Sequence, residues 1–315
     1  MKLKDCEILL TEPRGFCAGV DRAIDIVTEA IDRYGAPVYV RHEVVHNRKV
    51  VEDLKTKGAI FVKEISEIPK GAITIFSAHG VSEQVEIDTE KRELKYFDAT
   101  CPLVSKVHKE VIRFAESGKD IIMVGHENHP EVEGTLGRFP KGSLGKMYLV
   151  EDVDQAKEIE INQPENLCLV TQTTLSASDT KEIIKELKSR FPLMVEPKSE
   201  DICYATQNRQ DAVKQLALET EVIIVVGSKN SSNSNRLKEL AEKSGTASYL
   251  VDDPEQIESK MVHNISSLGV TAGASAPEEL VQSIVKKCMT FGYQKVEETD
   301  GLKENVFFKL PAELR

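Results

Sequence analysis

The chain has 315 residues, six cysteines and a formal net charge of −11. This length predicts two or three domains, and the negative charge disfavours non-specific nucleic-acid binding. No apolar run reaches the roughly 18 residues of a membrane span, and Met1–Asp5 lacks the start of a signal peptide. We therefore expect a cytoplasmic protein without a membrane anchor, whose cysteines bind metal, take part in catalysis or lie buried.

Three of the cysteines stand between a predicted strand and a predicted helix. Cys17 follows the apolar run 8–10, and the spacing of apolar residues over 20–31 predicts a helix directly after it. Cys101 precedes a similar pattern over 104–115, and Cys203 precedes one over 212–217. The free N–H groups and the dipole at a helix N-terminus favour a thiolate, the form that binds metal. The repetition of this setting indicates an internal repeat.

Each of these cysteines is followed by three predicted strands, and the third strand by a predicted helix. The first strand ends 25 residues after the cysteine in all three cases, at His42, His126 and Ser228. The strands are predicted over 37–42, 59–64 and 73–79, then 121–126, 147–152 and 167–173, and finally 222–228, 248–253 and 268–275.

Strands that alternate with helices predict an α/β fold with mostly parallel sheets. We expect three similar α/β units, at 1–98, 99–199 and 200–292, in a pseudo-threefold arrangement that brings Cys17, Cys101 and Cys203 together. The tail 293–315 is expected to pack back on the body of the protein.

Three thiolates at one point could hold either zinc or an iron–sulfur cluster, and their spacing does not decide between the two. Cys6, Cys168 and Cys288 lie in or near strands or in the last helix, where buried apolar cysteines are common.

Polar side chains gather at the predicted strand ends, which in open α/β sheets is where sites form. Donors of this kind at helix starts bind anions, and we expect phosphate or diphosphate. A carboxyl group there would have a raised pKa and could donate protons, with Glu131 as the first candidate and Glu133 as the alternative. The set comprises His42, His46, His79, His126, His129, Glu131, Thr171, Gln172, Thr173, Ser231, Ser232, Asn233 and Ser275.

Seven short motifs together resemble the 4-hydroxy-3-methylbut-2-enyl diphosphate reductases, the last enzymes of the non-mevalonate isoprenoid pathway. The likeness runs from about residue 8 to 285. The motifs are Gly15–Val20, Ala78–Gly80, Ala99–Pro102, Gly125–Gly134, Thr171–Thr174, Gly227–Arg236 and Ala272–Pro277.

The resemblance implies a central [4Fe–4S] cluster held by Cys17, Cys101 and Cys203, whose apical iron binds the hydroxyl oxygen of the substrate. It also implies that Thr173 holds this hydroxyl group, that Glu131 supplies protons, and that the products are isopentenyl and dimethylallyl diphosphate. An external electron donor such as flavodoxin or ferredoxin would be the partner. The implied diphosphate pocket consists of His46, His79, His129, Ser231, Ser232, Asn233 and Ser275.

Two histidines of the polar set lie outside the site that the resemblance implies, and one alternative function remains. His42 and His126 match the repeat but not the family's substrate contacts, so they stay outside the predicted site. The alternative function is a Cys₃ zinc hydrolase or a non-redox phosphate-binding protein.

Overall fold

A computed structural model describes residues 6–315, so Met1–Asp5, used above in the signal-peptide argument, lie outside the described residues. The strands are β1 (Glu7–Leu10), β2 (Val38–Arg41), β3 (Ala59–Val62), β4 (Ile73–Phe76), β5 (Lys95–Asp98), β6 (Asp120–Val124), β7 (Met147–Val150), β8 (Leu167–Thr171), β9 (Val222–Val226), β10 (Ala247–Val251), β11 (Ser267–Ala272) and β12 (Lys295–Glu298). The helices are α1 (Ala18–Tyr34), α2 (Arg48–Lys57), α3 (Glu83–Lys91), α4 (Pro102–Glu116), α5 (Pro130–Leu136), α6 (Val153–Glu158), α7 (Ala177–Arg190), α8 (Tyr204–Glu219), α9 (Ser232–Lys243), α10 (Ser259–Val262) and α11 (Glu278–Met289).

The strands form three sheets in which every strand pair is parallel. Their orders are β10-β9-β11-β1-β12, β3-β2-β4-β5 and β7-β6-β8. Every residue of β6, β8 and β9 is buried, as expected where helices cover both faces of a parallel sheet. The predicted α/β fold with parallel sheets is confirmed.

The segments that lead to the three cysteines pair with strands in corresponding positions. β1, which leads to Cys17, pairs with β11 and not with the next strand in the chain. β5, which leads to Cys101, pairs with β4, and Val195, ahead of Cys203, forms a bridge with Cys168 in β8. Each cysteine therefore follows a segment that pairs with the third predicted strand of a sheet, through a strand before Cys17 and Cys101 and through a single bridge before Cys203.

The described residues divide into two compact units. The first unit comprises residues 6–21, 45–53 and 204–307 and contains the five-stranded sheet. β9 lies inside this sheet, and its side chains alternate between two apolar clusters. Val222, Ile224 and Val226 join one cluster, while Ile223 and Val225 join the other.

The second unit comprises residues 22–44, 54–203 and 308–315 and contains the other two sheets. β6 alternates in the same manner, with Ile122 and Val124 in one apolar cluster and Ile121 and Met123 in another. The tail is divided between the two units. β12 extends the five-stranded sheet of the first unit, and Leu314 is buried in the second.

The strands end earlier than the sequence predicts, so the polar residues follow them in loops. β4 ends at Phe76, ahead of His79, and β8 ends at Thr171, ahead of Thr173. β11 ends at Ala272, ahead of Ser275. Among residues 6–315, no helix is long and apolar enough to cross a membrane.

Candidate active site

Cys17, Cys101 and Cys203 occupy equivalent backbone positions. Each lies directly before its helix, at the starts of α1, α4 and α8. Each backbone N–H donates to a carbonyl oxygen in the loop that follows β11, β4 or β8. The acceptors are Ala274 for Cys17 (3.2 Å), Ala78 for Cys101 (2.9 Å) and Thr173 for Cys203 (3.0 Å). None of the three forms a disulfide within residues 6–315, and all three residues are half-buried.

Opposing influences act on the pKa of the Cys17 thiol. Burial raises the pKa of this thiol, while the backbone N–H groups of Val20 and Gly19 and the charge of Arg209 oppose that rise. Hydrogen bonds and positive charge stabilise the ionised form, and burial disfavours it unless a cation binds to it. Such a sulfur suits a metal ligand better than a freely exposed nucleophile.

The other cysteines have different surroundings. Cys168 and Cys288 are fully buried in apolar clusters, and Cys6 is half-buried beside one of them. Burial raises the pKa of Cys288 to about 12, so this side chain stays a neutral thiol. Their positions agree with the structural role expected for them.

Within residues 6–315, no three His, Cys, Asp or Glu side chains are grouped so that they could hold one metal ion. Thiolates around a single zinc ion must all lie about 2.3 Å from it, whereas those of a cubane cluster each bind a different iron atom. Cysteine thiolates are soft donors that suit zinc or an iron–sulfur cluster.

Glu131 and Thr173 form a buried pair in the second unit. Glu131 lies in the first turn of α5, and 2% of its surface is exposed. The Thr173 backbone N–H donates to Glu131 Oε1 (2.6 Å), and the Thr173 hydroxyl donates to Oε2 (3.0 Å). The backbone and the side chain of one residue thus hold the carboxyl group in a fixed orientation.

The pKa of the Glu131 carboxyl group lies close to neutral pH. Burial raises the pKa of its carboxyl group to about 7, with a smaller contribution from the charge of Asp201, and the two hydrogen bonds from Thr173 oppose the rise. A carboxyl group with this pKa is protonated in a large fraction of molecules at neutral pH, as a general acid requires. Glu133, the alternative in the same turn, is exposed.

Two histidines lie in the same unit as this pair. The Glu131 backbone N–H donates to His129 Nδ1 (3.1 Å), so a neutral His129 carries its proton on Nε2. The His79 ring stands edge-on to the His129 ring, with 5.8 Å between centroids. The backbones at Gly134 and Gly80 also lie close together, because a Cβ at Gly134 would be 3.2 Å from the backbone of Gly80.

The first unit holds the other predicted anion-binding residues. Ser231 caps α9 by accepting a hydrogen bond from the Ser234 N–H, and Ser232 is the first residue of that helix. The Ser275 hydroxyl donates to the carbonyl oxygen of His46 (2.9 Å). The N-terminus of α9 thus offers N–H groups to an anion, and the loop containing Ser275 is tied to the loop containing His46.

Asn233 stands out within this group. It is 4% exposed, and neither its Nδ2 nor its Oδ1 atom has a hydrogen-bond partner. A buried amide without partners costs free energy, and at a helix N-terminus this amide is placed where it could donate to an anion.

Nearly the whole chain matches one known protein family. The profile of the family described as "LytB protein" matches residues 8–289. The chain belongs to the LytB family.

Relatives of this LytB-family chain share a name. The 4-hydroxy-3-methylbut-2-enyl diphosphate reductase of Tolumonas auensis is 56% identical over 309 residues, which cover 98% of this chain and 99% of that protein. The 4-hydroxy-3-methylbut-2-enyl diphosphate reductase 1 of Burkholderia pseudomallei is 57% identical over 307 residues, or 98% and 93% of the two chains.

Two solved structures resemble it as well. The E-1-hydroxy-2-methyl-but-2-enyl-4-diphosphate reductase of Plasmodium falciparum is 37% identical, with a TM-score of 0.94 over 99% of this chain and 97% of that one. A structure of (E)-4-hydroxy-3-methyl-but-2-enyl diphosphate reductase, the terminal enzyme of the non-mevalonate pathway, is 32% identical, with a TM-score of 0.65 over 90% and 99%.

Two residues near the cysteines of this LytB-family chain were not predicted from the sequence. Arg209 is 1% exposed and donates to the carbonyl oxygens of Gly15 and Phe16 in the Cys17 loop. Asp201, two residues before Cys203, accepts a hydrogen bond from the Thr171 N–H. The repeat contained one signal for Arg209, because a basic residue follows each of the three cysteines at a similar separation in the sequence.

His42 and His126, which we predict to lie outside the site, make backbone hydrogen bonds in loops. His42 adopts a left-handed backbone conformation at the end of β2 (φ 60°), and its N–H donates to the Val62 carbonyl oxygen. The His126 N–H donates to Gln172 Oε1 (3.0 Å), which assigns this residue a role in loop structure.

Proposed function

We propose that this protein is a reductase that removes the allylic hydroxyl group of 4-hydroxy-3-methylbut-2-enyl diphosphate, giving isopentenyl and dimethylallyl diphosphate. Membership of the LytB family and the shared name of its near full-length relatives support this activity. The structural observation that carries it is the buried Glu131–Thr173 pair, a proton donor fixed against a hydroxyl group.

Cys17, Cys101 and Cys203 would hold the [4Fe–4S] cluster. Their equivalent backbone positions and the N–H groups around the Cys17 sulfur support this assignment. When bound, the cluster supplies electrons and Lewis acidity, with one iron atom left without a protein ligand.

The diphosphate group would anchor the substrate. The N-terminus of α9 offers backbone N–H groups near Ser231 and Ser232, and Asn233 holds an unpaired amide there. His46 and Ser275 belong to the same unit, whereas His79 and His129 belong to the other. Binding energy from this non-reacting end positions the carbon that reacts.

Glu131 and Thr173 would deliver the proton. The net reaction consumes two electrons and two protons and releases water, so a proton must reach the departing oxygen. The Glu131 carboxyl group is protonated in much of the population at neutral pH, and its Oε2 lies 3.0 Å from the Thr173 hydroxyl. This hydroxyl can pass a proton onward while it holds the hydroxyl group of the substrate.

The electrons would come from an external donor such as flavodoxin or ferredoxin, and we place the reaction in the cytoplasm. Such donors deliver one electron at a time, so two deliveries complete a turnover.

Anaerobic purification tests the proposal directly. We expect a brown protein that contains iron and acid-labile sulfide and converts 4-hydroxy-3-methylbut-2-enyl diphosphate when a low-potential dye supplies electrons. A colourless protein with stoichiometric zinc, or one that binds diphosphate without turnover under reducing conditions, would contradict it.

A further inference from the structure

Arg209 ties the backbone of the Cys17 loop. Its Nε and Nη2 atoms donate to the Gly15 carbonyl oxygen (3.1 and 2.8 Å), and Nη2 also donates to the Phe16 carbonyl oxygen (3.3 Å). The guanidinium is buried, and its charge is balanced by Glu304 from the tail (3.1 Å). Gly15 has a left-handed conformation (φ 64°), which a glycine adopts without strain.

Arg22 makes the same kind of contact with the loop ahead of Cys101. It donates through Nη1 to the Thr100 carbonyl oxygen (3.1 Å) and through Nη2 to that of Asp98 (3.3 Å). Its Nε atom donates to the Lys309 carbonyl oxygen in the tail (3.0 Å).

Lys106 binds the backbone of the loop ahead of Cys203. Its ammonium group donates to the carbonyl oxygens of Ser199 (2.9 Å) and Glu200 (3.2 Å). It also pairs with the buried carboxylate of Asp201 (3.0 Å), which in turn accepts from the Thr171 N–H (2.9 Å). All three cysteine loops are therefore held at their carbonyl oxygens by a cation.

The three cations follow a regular pattern in the chain. Arg22 comes five residues after Cys17, Lys106 five after Cys101, and Arg209 six after Cys203. Each lies near the start of the helix that one cysteine opens, and each binds the loop that precedes a different cysteine. The order is cyclic: the helix after Cys17 serves Cys101, the helix after Cys101 serves Cys203, and the helix after Cys203 serves Cys17.

We propose that Arg22, Lys106 and Arg209 are positioning residues that hold the three cysteine loops in the shape that binds the cluster. The inference rests on the proposed function, because it assigns the purpose of this fixed shape to cluster binding. It adds three residues that act on the backbone of the cysteine loops.

The physical reason is electrostatic as well as geometric. A carbonyl oxygen turned toward a thiolate would repel it, and each cation binds carbonyl oxygens of its cysteine loop while the cysteine N–H groups donate to the neighbouring strand loops. A hydrogen bond to a charged group is stronger than a neutral one, so each contact holds its loop firmly. The cations also bring positive charge near the sulfur atoms of Cys17 and Cys101.

The test compares Arg22→Gln, Lys106→Met and Arg209→Gln with Arg190→Gln. Arg190 is the matched control, because it also donates to two backbone carbonyl oxygens, those of Ala156 and Ile159, in a segment without cysteine. Two readouts apply: the rate of iron loss to a chelator from the reconstituted protein, and amide hydrogen exchange at Cys17, Cys101 and Cys203 in the metal-free protein.

We expect each of the three variants to lose iron about tenfold faster or more, which corresponds to the loss of one hydrogen bond to a charged group. Hydrogen exchange should accelerate at the cysteine amide of the affected loop and remain unchanged at the other two. Arg190→Gln should match the wild type in both readouts.

Paired substitutions address loss of folding, since Arg209→Gln leaves the carboxylate of Glu304 unpaired. Arg209→Gln/Glu304→Gln and Lys106→Met/Asp201→Asn remove both charges and should show the same local effects. Arg209→Lys retains the charge without the planar guanidinium and should recover part of the iron retention.

The outcomes separate the two proposals. Wild-type iron retention and unchanged cysteine amide exchange in all three variants would overturn the positioning role while the reductase function stands. A wild-type protein that binds neither iron nor sulfide would overturn the reductase function, and exchange in the metal-free protein would still decide whether the cations hold the loops.

Discussion

The Glu131 carboxyl group receives two hydrogen bonds from Thr173, one from the backbone N–H and one from the hydroxyl. Thr173 also accepts the Cys203 N–H at its carbonyl oxygen (3.0 Å). One residue therefore connects a buried acid to the loop of a predicted cluster ligand, so a change in the acid can be tested for its effect on the cysteine loop.

Glu131→Gln is expected to slow turnover by at least about 10²-fold, because glutamine keeps the shape and can hydrogen-bond but cannot supply a proton. Iron content and diphosphate affinity should remain near wild type. Steady-state kinetics with iron analysis of the same samples measures this. The control is Glu133→Gln, an exposed residue of the same turn, which should have a mild effect. Near wild-type turnover in Glu131→Gln would exclude Glu131 as the proton donor.

The turnover number should fall as pH rises above about 7, because the Glu131 carboxyl group, whose pKa is about 7, then loses its proton. We expect a decline approaching tenfold per pH unit in the wild type and no such limb in the residual activity of Glu131→Gln. A pH profile of kcat for both proteins checks this. An identical alkaline limb in both would assign it to another group.

Stability should also depend on Glu131. Its pKa is about 7 in the folded protein against an ordinary value of 4.5, so between these pH values the folded chain keeps a proton that the unfolded chain has lost. The free energy of unfolding should therefore fall as pH rises from 4.5 to 7, by about 3 kcal/mol in total, and this contribution should level off above pH 7. Denaturant unfolding of the metal-free wild type and Glu131→Gln across this range isolates the effect, and a constant difference between them would contradict it.

Cys17→Ser, Cys101→Ser and Cys203→Ser should each lose most of the iron and the activity, because each removes one thiolate ligand of the predicted cluster. Cys6→Ser, Cys168→Ser and Cys288→Ser should retain both. The buried hydroxyl created in the last two costs about 1–3 kcal/mol of stability, so iron must be measured per folded protein. Loss of iron from Cys168→Ser with retention in Cys203→Ser would make the ligand assignment wrong.

Asn233→Leu should stabilise the ligand-free protein and weaken diphosphate binding. The Asn233 amide is buried without partners, so an apolar side chain of similar size removes a cost of about 1–3 kcal/mol, while the ligand loses its hydrogen bonds. Thermal unfolding and titration with inorganic diphosphate measure the two effects. Asn235→Leu is the control: its amide donates to the carbonyl oxygens of Lys229 and Ser231, so its loss should destabilise the protein. Lower stability of Asn233→Leu, with unchanged affinity, would contradict the assignment.

Local patterns in the sequence determined the fold class. Continuous apolar runs such as Val222–Val226 indicate buried parallel strands, and the three strand–cysteine–helix settings follow from the same neighbouring residues. The pseudo-threefold arrangement, the unit boundaries and the joint role of the three cysteines remain predictions.

Tertiary structure decided the features that depend on distant segments. The sequence could not choose between Glu131 and Glu133, because both lie in one helical turn and only the packing of α5 buries the first. It also could not place β1 beside β11 or Arg209 on Gly15, since these partners lie far apart in the chain, 194 residues in the second case. Periodicity reports which face of an element is apolar, whereas burial, hydrogen-bond partners and pKa values depend on which remote segment covers that face.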